Sequence, residues 1–260
     1  MKKFTKITVV MLALVLALGA FAGCSSEEKT EELIVGITLF APMNYYEGDK
    51  LVGFETEFAS AVCEKIGKKA KFQVIDWNSK ENELNGNTID CVWNGMTIND
   101  ERKETMLISI PYMKNKQVAV VRAEDAEKFA NLDNLENVAI IAEKGSAGET
   151  VAKENETFAK AKYTAVDTQA KALMEIKAKT ADIAIVDYVM SIGSIGEGTD
   201  YADLVVVEKE FAPEQYGVAF KKGNTELCDK VNQAMKDLKK EGKLAEIAKK
   251  YKLQDLIIVE

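Results

Sequence analysis

Histidine is absent from this chain of 260 residues. That excludes Ser–His and Cys–His nucleophilic pairs and every metal site built on imidazole. Carboxylate-only chemistry remains possible, so an enzyme is made less favoured and is not excluded. Cysteine is scarce: Cys24, Cys63, Cys91 and Cys228 are the four, and none is spaced C-x-x-C. Zinc clusters and thioredoxin-type redox pairs are therefore excluded. Cys63, Cys91 and Cys228 are expected as small buried hydrophobes, with a Cys63–Cys91 disulfide left open. Proline occurs three times, too rarely for Pro-rich linkers between separate domains. Positive charge is in deficit, the net charge being −8. This excludes the clustered basic surface that nucleic acids require. No metal or organic cofactor is implied.

What is present begins with an address. Lys2, Lys3 and Lys6 precede an apolar run over residues 7–18, and small residues follow it up to Gly23. A basic segment, a short apolar segment and small residues are the parts of a secretory signal, expected over residues 1–23. The run is too short to span a bilayer comfortably. Its removal takes three lysines and no acid, so −8 becomes −11. Ala22-Gly23-Cys24 resembles a bacterial lipobox, in which the cysteine is acylated (palmitate is a usual chain) and becomes the mature N-terminus. Phe21 departs from the aliphatic residue usual there. Residues 24–32 are polar and aperiodic and read as a tether. The folded part is expected to hang from the outer face of the cell membrane.

The remainder alternates between two periods. Residues 33–37, 72–75 and 89–93 read as strands. Between the first two, Phe54, Phe58, Ala61, Val62 and Ile66 recur at helical spacing and end at Gly67. This is a β-α-β unit with a largely parallel sheet. After Pro111-Tyr112 a second set follows, with strands over 118–121, 138–142, 183–186, 204–207 and 216–220. Helices are expected from Glu149 and around Ala172, Leu173 and Ile176. Asn224 reads as the cap of a helix carrying Leu227, Val231, Met235 and Leu238, and Gly242 separates a closing helix. The fold class is α/β, as two lobes on continuous connections.

Three stretches could hold a ligand. Thr97 and Asp100 stand in S/T-x-x-D capping register after a strand, and Arg102 nearby offers a planar fork for a carboxylate. Ser146 and Glu149 form a second capping pattern, in Lys144-Gly145-Ser146-Ala147-Gly148-Glu149, again after a strand. One capping box is only a cap, but two at strand C-terminal ends mark the edge where open α/β sheets bind ligands. Asp187 ends the apolar run 183–186. It could hold an ammonium group at a cleft mouth or simply cap the helix from Tyr188.

These stretches, with Leu51-Val52-Gly53-Phe54-Glu55, Asp76-Trp77-Asn78-Ser79-Lys80, Ile89-Asp90-Cys91-Val92-Trp93-Asn94-Gly95-Met96-Thr97, Ala181-Asp182-Ile183-Ala184-Ile185-Val186-Asp187 and Lys221-Lys222-Gly223-Asn224, resemble the polar amino-acid family of type II periplasmic solute-binding proteins. The resemblance covers nearly everything after the tether. It implies lobe one over residues 33–115 and 214–260, lobe two over 116–213, and one ligand buried between them. By position, Arg102 and Thr97, with the backbone N–H groups of Ser146 and Ala147, would take the ligand's α-carboxylate. Asp187 and the Gly95 carbonyl would take its α-ammonium. Phe40 would pack on the ligand, Trp77 would line its side-chain pocket, Asn94 would sit beside the amino group, and Met96 belongs to the same ligand-binding stretch. Partners implied are a free amino acid and the permease and ATPase of an ABC importer, with the protein a monomer.

Two departures stand out. Ala147 replaces the Ser or Thr of many relatives. Residues 37–40 run one residue short and lack the acid that relatives taking basic ligands place before the aromatic, which argues against arginine, lysine or histidine unless Glu47 supplies an acid. The expectation is a receptor and no enzyme. The alternatives are a carboxylate-based dehydratase on the same scaffold, with Glu47 or Asp187 as its acid, and a sensor that signals through a separate partner.

Overall fold

The computed structural model describes residues 30–207, Lys209, Phe211 and 213–260. The expected signal segment 1–23, the acylation residue Cys24 and the tether through residue 29 lie outside the described residues. No described helix is long and apolar enough to cross a membrane.

The first half of the fold is a β-α-β unit. Strand β1 (Glu32–Ile37) is followed by a small hairpin, β2 (Tyr45–Glu47) and β3 (Lys50–Val52), then α1 (Phe54–Lys65) and β4 (Lys69–Val74). Helix α2 (Lys80–Gly86), β5 (Cys91–Thr97), α3 (Asp100–Thr105) and β6 (Met106–Ile108) complete it. The face of α1 read from its periodicity is the face it buries: Phe54, Phe58 and Val62 have no exposed surface. The Phe58 ring meets Trp93 edge-on at 5.2 Å between centroids, a favoured aromatic geometry. Removing side chains of this size from water stabilises by about 1.5–3 kcal/mol each. β1 pairs in parallel with both β4 and β5.

The second half repeats the design. It comprises β7 (Met113–Arg122), a short α4 (Ala126–Phe129), β8 (Ala139–Glu143), α5 (Ala147–Glu154), β9 (Lys162–Val166) and α6 (Gln169–Lys177). Then come β10 (Ile183–Asp187), α7 (Tyr188–Ser194) and β11 (Leu204–Val206). β10, β8 and β9 are parallel neighbours. Strand β12 (Pro213–Lys221) returns to the first half, where α8 (Thr225–Lys240) and α9 (Lys243–Lys250) pack on α1.

The sheet order is β4-β1-β5-β12-β7-β10-β8-β9. β7 and β12 belong to both halves: they pair with each other over Met113–Lys116, while β12 continues on β5 and β7 continues on β10. Parallel strands β5, β8 and β10 thus end near this crossover, and their C-terminal residues are Thr97, Glu143 and Asp187.

Several local expectations change. β5 runs on through the polar residues Asn94 to Thr97, past the end of its apolar stretch. The cap of α3 is Asn99, whose Oδ1 accepts from the Arg102 N–H at 2.9 Å; Thr97 is strand, not cap. Asn224 sits at the start of α8 without a side-chain capping bond. Cys63, Cys91 and Cys228 are buried free thiols, so the Cys63–Cys91 disulfide is not formed. Burial pushes the Cys63 thiol up to about 11, which keeps it protonated and unreactive.

Candidate functional site

Where the two halves meet, a tight cavity of about 10 Å³, room for about one water, is lined by residues from both. Trp77, Asn94, Gly95, Thr97 and Arg102 line it from the first half. Glu143, Ser146, Ala147, Gln169 and Asp187 line it from the second. A larger groove beside it, rimmed by Ile98, Lys103, Lys114 and Leu256, is open to solvent. The smaller cavity is where charged and polar groups from both halves converge, as the orienting groups of a small-molecule site do.

Arg102 is held in the cavity wall at 7% exposure. Its Nη1 donates to the Thr97 carbonyl at 2.9 Å, and Nη2 reaches the Gly145 carbonyl of the other half at 3.3 Å. Burial lowers its pKa, with Glu214 and Asp187 opposing the shift, yet a guanidinium remains charged. Among the described residues it has no carboxylate ion-pair partner, and donors remain on its fork for an anion.

Asp187 faces it from the end of β10. Its Oδ1 accepts from Asn115 at 2.7 Å and Gln117 at 2.6 Å, and Oδ2 accepts from Gln169. The Gln169 Oε1 in turn accepts from the Asp187 N–H at 2.9 Å. Although Asp187 stands at the start of α7, its side chain makes no capping bond. The carboxylate is oriented by amides and, among the described residues, paired with no cation. Asn115 and Gln117 also donate to Glu214, whose pKa burial and Asp187 raise to about 7.

Ser146 caps α5 as expected, its Oγ accepting from the Glu149 N–H at 3.1 Å. The reciprocal half of the box is displaced by one residue: Glu149 accepts from the Gly145 N–H at 2.7 Å. The Ser146 N–H already reaches the Glu143 carbonyl at 3.2 Å. Ala147 opens the helix and lines the cavity.

Two glycines permit the close approach. Gly95 has φ +55, and a Cβ there would lie 3.2 Å from Phe40 Cζ and 3.3 Å from Tyr216 Cζ. Its N–H donates to buried Glu55 at 2.7 Å; Asn44 and Tyr112 also donate to that carboxylate. Gly145 has φ +72 and abuts Asn78 of the other half. The Gly145 carbonyl collects three donors from across the cavity: Trp77 Nε1 at 3.1 Å, Arg102 Nη2 at 3.3 Å and Lys80 Nζ at 3.4 Å.

Not every expected residue reaches the cavity. Phe40 is buried against Gly95 and is not part of the lining. Met96 turns into a satellite core with Ile75, Trp77 and Val92. Asn94 lines the wall, but its amide is committed to Thr38 and Asn44 at 2.6–2.9 Å. Glu47 is exposed on the β2–β3 hairpin and does not line the site. Glu143 and Gln169 were missed. Glu143 follows the apolar stretch 138–142, a position an acid at the solvated end of a strand would equally take.

The profile of the bacterial extracellular solute-binding proteins, family 3, matches residues 33–254. The arginine-binding extracellular protein ArtP of Bacillus subtilis is 29% identical, over 87% of this chain and 88% of its own length. The L-cystine-binding protein TcyJ of Escherichia coli (strain K12) is 27% identical, over 94% of this chain and 92% of its own. Among solved structures, an ABC uptake transporter substrate-binding protein from Streptococcus pneumoniae with bound histidine superposes with a TM-score of 0.78. It is 29% identical and covers 87% of this chain and 94% of its own. The ligands of these three proteins differ in charge and size.

Proposed function

The chain belongs to the bacterial extracellular solute-binding proteins of family 3, and from that membership we propose that it captures a free L-amino acid outside the membrane for an ABC importer. The observation that supports this most is the placement of Arg102 and Asp187 on opposite halves of one cavity, neither committed to an ion pair among the described residues. Burying both charges of an amino acid is costly unless each is paired and hydrogen-bonded. Arg102 and Thr97, with the helix start at Ser146 and Ala147, take the α-carboxylate. Asp187 and the Gly95 carbonyl take the α-ammonium, while Trp77 lines the side-chain space and Phe40 supports the wall through Gly95.

A ligand held this way bridges lobe one (residues 33–115 and 214–260) and lobe two (116–213). Its better contacts with the closed state favour closure, and the permease reads that closed state. The protein acts as a monomer and a receptor without catalysis, delivered by the signal segment and anchored through acylated Cys24. Titration calorimetry of the full-length protein against the twenty amino acids tests the function. Micromolar or tighter binding of at least one is expected; no binding by any of them would end the proposal. Turnover of cyclic carboxylic acids would instead favour the dehydratase alternative.

A further inference from the structure

Three charged side chains line the cavity: Arg102, Asp187 and Glu143. The amino-acid reading assigns the first two and leaves Glu143 without a task. Its burial, at 3% exposure, needs a reason, because a carboxyl group taken from water is costly unless it is matched.

Other buried or half-buried acids of this chain show what a structural role looks like. Glu55 is held by the Gly95 N–H, Asn44 and Tyr112. Glu149 is held by the Gly145 N–H, Tyr163 and Lys153. Glu143 has no ion pair among the described residues and a side-chain hydrogen bond with Gln169 alone, whose amide also serves Asp187.

Resting on the amino-acid reading, we propose that Glu143 is the specificity-determining residue and that the ligand's side chain is cationic, its positive group held by Glu143 beside the Trp77 ring. Glu143 therefore provides, from the other half of the fold, the acid missing ahead of Phe40. The Trp77 ring already has Lys80 Nζ at 4.8 Å and Arg102 Cζ at 5.8 Å from its centroid, so a ligand cation held by Glu143 lies at the edge of a ring whose face these two groups share. The competing role for Glu143 is a distant counter-charge to Lys80, whose Nζ is directed at the Trp77 and Gly145 carbonyls instead.

Burial, then the charge of Asp187, raise Glu143 to about 8, with Lys80 opposing, Asp76 adding and Gln169 opposing. At neutral pH the free protein holds a proton there, and a bound cation displaces it. Affinity for a cationic amino acid accordingly rises as pH increases towards about 8 and then levels.

The test is calorimetry on the full-length protein with L-arginine and L-citrulline, which match in shape and differ in side-chain charge, and with L-lysine and L-norleucine. At least one cationic member should bind about tenfold or more tightly than its neutral counterpart, as expected of a charge-assisted hydrogen bond. It should release protons, seen as a buffer-dependent heat. In Glu143→Gln the preference should collapse towards one. Tighter binding of the neutral partners, or of another neutral amino acid, overturns this inference and leaves the amino-acid reading standing. So does a Glu143→Gln protein that melts earlier but keeps its preference. Absence of binding by any amino acid overturns both.

Discussion

At the residue scale, the site depends on a few side chains whose positions are fixed by others. Arg102→Ala removes the cation that lines the cavity among the described residues. Charged hydrogen bonds contribute ~1.5–3 kcal/mol, so amino-acid affinity should fall at least about tenfold by calorimetry; an unchanged affinity would refute its role. Gly95→Ala places a side chain at φ +55 and 3.2 Å from Phe40 Cζ. Strain of about 1–3 kcal/mol is expected of such a position, read as a lower melting temperature in the unliganded protein. Thr97, Ser146 and Asp187 were legible in the sequence as polar residues at or just after strand ends, and Arg102 as a carboxylate-matching fork on the helix that follows one. Glu143 was not singled out, because nothing in a lone sequence distinguishes an acid turned into a cleft from one at the solvated end of a strand. Glu47 was legible as an acid near the right segment and proved to be on an exposed hairpin.

At the scale of elements, hydrophobic periodicity found the strands and α1, and failed where function begins. β5 was read as ending near Trp93, but it continues through Asn94, Gly95 and Thr97. Asn94 and Thr97 near its end are polar because they face the cavity or its supporting network, and with Gly95 they break the apolar pattern that would show the stretch as strand. The same holds for Asn99, which caps α3 in place of Thr97. Across the cavity, β8 and α5 meet the first half through one carbonyl, Gly145, which accepts from Trp77, Arg102 and Lys80. Trp77→Phe removes one donor and keeps most of the ring. With a net hydrogen-bond contribution of about 0.5–1.5 kcal/mol, ligand affinity should weaken several-fold through a less favoured closed state. Calorimetry on the variant checks this, and unchanged binding would separate the Trp77–Gly145 contact from closure.

At the scale of the whole molecule, the α/β class and the pairing of two similar units were legible from alternation alone. The return of β12 to the first half was not, since the order β5-β12-β7-β10 depends on contacts far apart in the chain; only family resemblance supplied it. Gathering acids in the interior has a cost that depends on pH. Burial raises Glu55 to about 7, Glu143 to about 8 and Glu214 to about 7, against about 4.3 in an unfolded chain. The folded state thus retains protons that the unfolded chain has lost. The stability associated with these groups is complete below about pH 4.3 and is lost as pH rises through about 7 to 8. Melting temperature of the free protein should therefore fall between pH 5 and pH 8, and a bound ligand should reduce the fall. A melting temperature that climbs across that interval would contradict the burial of these acids.

The clasping of one amino acid by both halves is tested most directly by a crystal structure of the protein with the tightest ligand found by titration. The α-carboxylate should lie within hydrogen-bonding distance of the Arg102 guanidinium, and the α-ammonium within that distance of the Asp187 carboxylate. A ligand bound elsewhere, or touching only one of these two side chains, would contradict it.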